Sequence, residues 1–161
     1  MKLPRWFTIP LLAFLITRLF IFGVGLVADT MLTTEPGHWI ADPDSPFLSM
    51  WTKWDSQYYV DIATNGYWFR PEQQSNVAFF PVYPLLMRLV GSLVQGNVIL
   101  AGFIISNLAF FIALIFLYKL TALELDDGSA GRTVFTWLFS RHPSFSSVYT
   151  ESTFLMFSVA A

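Results

Sequence analysis

FTIPLLAFLITRLFIFGVGLV, residues 7–27, is a 21-residue stretch whose only clearly polar members are Thr8, Thr17 and Arg18. At about 1.5 Å per residue in a helix, it spans the roughly 30 Å hydrocarbon core of a bilayer. Lys2 and Arg5 precede it, so the positive-inside rule places the N-terminus in the cytoplasm. A cleaved signal peptide is the rival reading. The apolar run is too long for one, Arg18 interrupts it, and the small-residue pattern before Asp29 is poor. The stretch reads as an uncleaved transmembrane helix.

The rest of the chain agrees with a membrane setting. Of its 161 residues 55% are hydrophobic and only 12% charged, against about 25% charged in a soluble domain. A net charge of −2 supplies no basic field for nucleic acid, so no nucleic-acid partner is expected. The absence of Cys excludes disulfides and thiolate metal sites. Residues 98–118, VILAGFIISNLAFFIALIFLY, form a second span with Ser106 and Asn107 near its middle and Lys119 at its cytoplasmic end. A polar loop, 119–132, follows, closed by Arg132.

Between the spans, residues 29–97 hold seven of the eleven acids, six of the nine prolines and four of the six tryptophans. Because the first span runs outward, this long segment is extracytoplasmic. A connection so much longer than the usual 4–6 residues is expected to be functional or internally structured. Pro36-Gly37, Asp42-Pro43 and Ser45-Pro46 mark turns. Short helices are predicted near 55–64, with Asn65-Gly66 as a stop, and near 84–94, with Pro84 in the first turn. The second carries Leu85, Leu86, Leu89, Val90, Leu93 and Val94 on one side and Arg88, Ser92 and Gln95 on the other. That is the pattern of a helix lying in the membrane interface. Residues 133–147 read as a degenerate third span cut by Arg141, His142 and Pro143, and 150–161 as the start of a further span. The expectation is an all-α, polytopic membrane protein, with 1–161 a single incomplete membrane domain.

Asp55 heads the candidate site residues. It stands before a predicted helix among Trp54, Tyr58 and Tyr59, at a bilayer surface where a lipid-borne polar substrate would arrive. An N-cap role is the structural alternative, at about even odds, and a capping carboxylate can still turn one oxygen toward a pocket. As a general base it must reach a substrate hydroxyl within about 2.6–3.2 Å. Asp61 lies too far round the helix to act as its close pair. Trp51, Trp54, Tyr58, Tyr59, Tyr67 and Trp68 read mainly as an interfacial aromatic belt, with Trp54 and Tyr59 as candidates for contact with a sugar. Arg18, mid-span, costs at least about 2.5–3.5 kcal/mol there and needs compensation from another span or an anionic headgroup. Arg88 is the other cation suited to a lipid phosphate. Glu151 reads as a first-turn acid favoured by the helix dipole, or as a second polar group lining the site. Gly102, Ser106 and Asn107 read as helix-packing glue. His38 and His142 are too isolated for a metal site, so none is expected.

WDSQYYVDIATNGY (54–67), AFFPVYP (78–84), ISNLAF (105–110) and VYTESTF (148–154) occur in that order. Together they resemble the family of GPI mannosyltransferase 2, the PIG-V type, and its bacterial relatives. The resemblance implies the N-terminal part of a GT-C type membrane glycosyltransferase with a long extracytoplasmic first loop. It implies a hexose, mannose in the first place, carried on a polyprenyl phosphate and transferred with inversion to a lipid or glycolipid acceptor. The polyprenyl-phosphate sugar is then a donor substrate, with no separate cofactor. Asp55 matches the first-loop acid assigned as base. Glu151 matches the acid of the YTES motif, and Arg88, Arg18, Trp54 and Tyr59 become substrate-binding candidates. The chain departs from the family pattern at 139–148, where FSRHPSFSSV replaces a longer apolar stretch, and in its two clear spans where relatives have about ten. The implied location is the plasma membrane if the source is bacterial and the endoplasmic reticulum membrane if eukaryotic. The alternatives are an inactive remnant or non-catalytic membrane assembly partner, and a transporter built around Arg18 and Asn107.

Overall fold

Two long helices, α1 (Arg5–Met31) and α5 (Val98–Glu124), pack antiparallel and are, among the described residues, the two long and apolar enough to cross a membrane. Their register follows from matched pairs along the seam. Lys119 lies over the Trp6 ring at 4.3 Å, Phe111 meets Phe14 at 5.3 Å, Asn107 meets Arg18, and Phe103 meets Phe22 at 5.8 Å. In the computed structural model the described residues are 3–31, 45–139 and 147–161. The turns at Pro36-Gly37 and Asp42-Pro43, His38, and the Arg141–His142–Pro143 break lie outside them.

Among the described residues the structure is all-helical. Helices α2 (Pro46–Met50), α3 (Ser56–Asn65) and α4 (Val82–Leu93) lie between the two long ones, with a 3-10 turn at Asn76–Ala78. Helix α4 begins two residues before Pro84, which the first turns of a helix tolerate because their N–H groups have no intrahelical acceptor. It buries Tyr83, Pro84, Met87 and Gly91 and exposes Val82, Leu85, Leu89 and Leu93. An apolar ridge therefore points away from the protein, the form an interfacial helix takes.

Helices α6 (Asp127–Phe139) and α7 (Glu151–Ala160) complete the order. The stretch 119–132, expected as a loop, is mostly helical: α5 runs on to Glu124 and only Leu125 and Asp126 separate it from α6. Ala122, Leu123 and Glu124 are strong helix formers. Asp126 then restarts the chain, its carboxylate accepting from the Gly128 and Ser129 amides at 2.7 and 2.9 Å. The core has two parts. Ala13, Phe110, Leu114, Tyr118, Ala130 and Val134 join α1, α5 and α6. Leu48, Tyr59, Ala63, Tyr83, Met87, Ile99 and Val148 join the interhelical segment to α5 and to the chain entering α7.

Candidate functional site

The four motifs singled out in the sequence meet at one place, where α3, α4, α5 and α7 come together. Tyr149 makes the first link. Its hydroxyl donates to the Lys53 carbonyl at 2.9 Å and accepts from the Asp55 amide at 3.0 Å. Tyr59 adds a second, its hydroxyl 3.2 Å from that of Thr150. Behind them the Ser106 hydroxyl donates to the Tyr149 carbonyl at 3.1 Å and lies 2.8 Å from the Tyr83 hydroxyl, which also reaches the Gly102 carbonyl at 3.0 Å. Residues 53–59, 83, 102–106 and 148–150 thus form one continuous polar network.

That network brings Asp55 and Glu151 to the same junction, one before α3 and the other opening α7. Asp55 is exposed, and its side chain makes no capping bond to α3, so the N-cap role does not materialise. The cause is local. Asp55 already has helical dihedrals (φ −70°, ψ −8°), whereas a capping side chain needs the extended conformation to reach the amides ahead. The chain turns one residue earlier, at Trp54, whose φ is +49°. For a residue with a Cβ this conformation costs about 1–2 kcal/mol.

Burial raises the pKa of the Tyr59 and Tyr149 phenols, and the charges of Glu151 and Asp55 raise both further. Tyr83 is pushed up by its complete burial. These hydroxyls therefore stay protonated and serve as hydrogen-bonding groups. Glu151 Oε2, Ser56 Oγ and Thr153 Oγ1 are buried with no hydrogen-bond partner among the described residues. Such unmet capacity is uncommon in a finished core.

The aromatic residues divide. Trp54 is 79% exposed and Tyr67 also faces outward. Trp51 is not part of a surface belt: it is buried against Phe22, Phe47 and Phe103, with its ring at van der Waals range of Gly25. Tyr58 stacks on Phe79 at 4.8 Å, and Tyr59 meets Phe79 edge-on at 5.0 Å. Asp61 is structural. It accepts from the Trp68 indole and from Asn65 and Asn76 at 2.8 and 3.1 Å, tying the 66–78 segment to α3.

Neither arginine proposed for a phosphate is brought to the junction. Arg88 donates to the carbonyls of Ala63 at 2.7 Å and Ile62 at 3.1 Å, capping the far end of α3, about 10 Å along the helix from Asp55 at 1.5 Å per residue. Arg18 is buried between α1 and α5 and donates to the Asn107 side-chain oxygen. A side-chain amide of the second span is thus one of its partners. Sequence reading gave no role to Tyr149, Tyr83, Ser56 or Thr153; the position of all four within quoted motifs was the available signal. Among the described residues no three metal-ligating side chains cluster.

Comparison with known proteins places this geometry. Residues 7–161 match the family described as Mannosyltransferase (PIG-V). The chain belongs to that family. Two curated proteins named GPI mannosyltransferase 2, from strains of Cryptococcus neoformans var. neoformans serotype D, are each 34% identical to it over 109 residues. The aligned region is 62% of this chain, which spans 25% of the length of either relative. No solved structure matches the chain. As a PIG-V family member with two apolar helices of membrane-crossing length, it is an integral membrane protein.

Proposed function

We propose that this chain acts in a membrane mannosyltransferase reaction, moving mannose from a polyprenyl-phosphate donor to a hydroxyl of a lipid or glycolipid acceptor with inversion. One observation supports the reading: Tyr149 and Tyr59 lock the starts of α3 and α7 together, setting Asp55 and Glu151 at one junction beside the Gly102–Ser106 stretch of α5. The Asp55 carboxylate, exposed and uncommitted to the helix, removes the proton from the acceptor hydroxyl. That oxygen bonds to the sugar C1 as the C1–O bond to phosphate breaks, and the polyprenyl phosphate leaves with the electron pair. Attack from the opposite face inverts the anomeric centre. Glu151, with an unpartnered buried oxygen, accepts from a sugar hydroxyl, and Ser56 and Thr153 offer further hydroxyls at the same junction. Trp54 supplies aromatic surface, whereas Tyr59, expected to contact the sugar, is buried against Phe79, Tyr83 and Tyr149 and offers its hydroxyl to Thr150 instead. Arg18 and Arg88 are left to structural duties.

The test uses membranes containing the chain and labelled polyprenyl-phosphate mannose. Asp55→Asn should lower transfer by about 10²–10⁴-fold, the range for a lost general base, with membrane insertion intact. Full transfer by that variant, or labelling of residue 55 from the cytosolic side, would overturn the assignment. Lack of transfer by the unaltered chain would favour the non-catalytic reading.

A further inference from the structure

Trp54 is second in the four-residue turn Lys53–Ser56, which is closed by the Ser56 amide on the Lys53 carbonyl at 3.2 Å. Its φ of +49° is one that turns ordinarily give to Gly, Asn or Asp. Glu72 and Gln95 also have positive φ in locally closed turns, with the Gln73 amide on the Arg70 carbonyl and the Gly96 amide on the Gly91 carbonyl. Trp54 differs in how it is held. The groups on either side of it, the Lys53 carbonyl and the Asp55 amide, are both bound by the hydroxyl of Tyr149, 96 and 94 residues away. The indole gains little from burial, being 79% exposed, so packing of the ring does not explain the conformation. Without the bracket, Trp54 relaxes toward negative φ, and both adjoining peptide planes turn with it. The indole and the Asp55 carboxylate would then swing together.

We propose that Tyr149 is a positioning residue: its hydroxyl clamps Trp54 in the left-handed conformation, standing the indole beside the Asp55 carboxylate as a platform for the apolar face of the donor hexose. The proposal rests on the mannosyltransferase reading for the identity of the ligand, and on the turn geometry alone for the clamp.

Two measurements separate these dependences. The first is a double-mutant cycle on thermal unfolding of the whole chain in detergent, using Tyr149→Phe, Trp54→Gly and the double variant. Glycine takes positive φ without strain, and only the Trp54 background recovers strain when the bracket is lost, so the Tm loss caused by Tyr149→Phe should be clearly larger when Trp54 is glycine. Equal losses in both backgrounds, or a smaller one with glycine, overturn the clamp. If Tyr149→Phe does not accumulate, Trp54→Gly is read alone: freed of strain, it should not lower Tm, and a lowered Tm overturns the clamp. The second measurement is transfer kinetics. Tyr149→Phe should lower kcat about tenfold or more by displacing the base, while Trp54→Ala raises KM for polyprenyl-phosphate mannose and Trp54→Phe restores it. Unchanged kcat in the first variant or unchanged KM in the second overturns the platform. Transfer retained by Asp55→Asn would defeat the catalytic reading and leave the unfolding cycle standing.

Discussion

The Arg18 guanidinium on α1 donates to the side-chain oxygen of Asn107 on α5 across 3.1 Å, with the Phe110 ring 4.6 Å and the Phe14 ring 5.2 Å from its central carbon. The guanidinium thus has a neutral amide and two aromatic faces among its neighbours. Hydrogen bonds to charged groups contribute about 1.5–3 kcal/mol. Asn107→Leu should destabilise the chain by that order, seen as a lowered unfolding temperature in detergent. Arg18→Met combined with Asn107→Leu should recover part of the loss, because the guanidinium is then no longer left without its amide partner. A single variant as stable as the parent would show that the bond does not hold α1 to α5.

Acid should loosen the segment between α1 and α5 through Asp61. Partial burial raises its pKa, but hydrogen bonds from Asn65, Trp68 and Asn76, with the Arg70 charge, together outweigh it and leave the carboxyl below its ordinary value. A depressed folded-state pKa means that the carboxylate stabilises the fold fully above its unfolded pKa of about 3.9. That contribution disappears as the pH falls through the lower folded value. Unfolding temperature measured downward from pH 6 should therefore fall below about pH 4, and Asp61→Asn should flatten that limb. An unaltered acid limb in the variant would remove Asp61 as its source.

Gly102 is where α5 lets α4 and the chain before α7 come close. A Cβ there would stand 2.8 Å from Val148 Cγ1, 3.0 Å from Met87 Cε and 3.2 Å from the Tyr83 hydroxyl. Alanine would gain about 1 kcal/mol of helix propensity, but overpacking costs about 1–3 kcal/mol where the neighbours cannot yield. Val148, Met87 and Tyr83 are all fully or almost fully buried, so the clash wins. Gly102→Ala should lower the unfolding temperature, while Gly23→Ala, with nothing within 4 Å of its added carbon, should not. Equal behaviour of the two variants would show that the crossing has room to spare.

The all-helical class and the two long apolar helices were legible because length and hydropathy are properties of a continuous stretch. The short helices after Asp55 and around Pro84 were legible for a similar reason, through local periodicity and stop signals. What the sequence concealed depends on partners far along the chain. Nothing near Arg88 announces that its guanidinium ends α3 at Ala63, and nothing near Trp51 says that Phe22 and Phe103 will bury it. Asp55 looked like a cap because an acid before a helix usually is one. The turn at Trp54 forestalls this, and that turn is braced by Tyr149. The loop expected at 119–132 failed for a local reason: polar composition was weighed above the helix propensity of Ala122–Leu123–Glu124.

The 94 residues between Asp55 and the tyrosine that braces it set an order of events during synthesis. At about 5–20 residues per second, the ribosome needs roughly 5–20 seconds to reach Tyr149 once Asp55 has been made. Throughout that interval the nascent segment holds its carboxylate with the Lys53–Ser56 turn unbraced. The braced turn is a late product of translation, and an arrested chain ending before residue 149 would expose an acid but lack its brace.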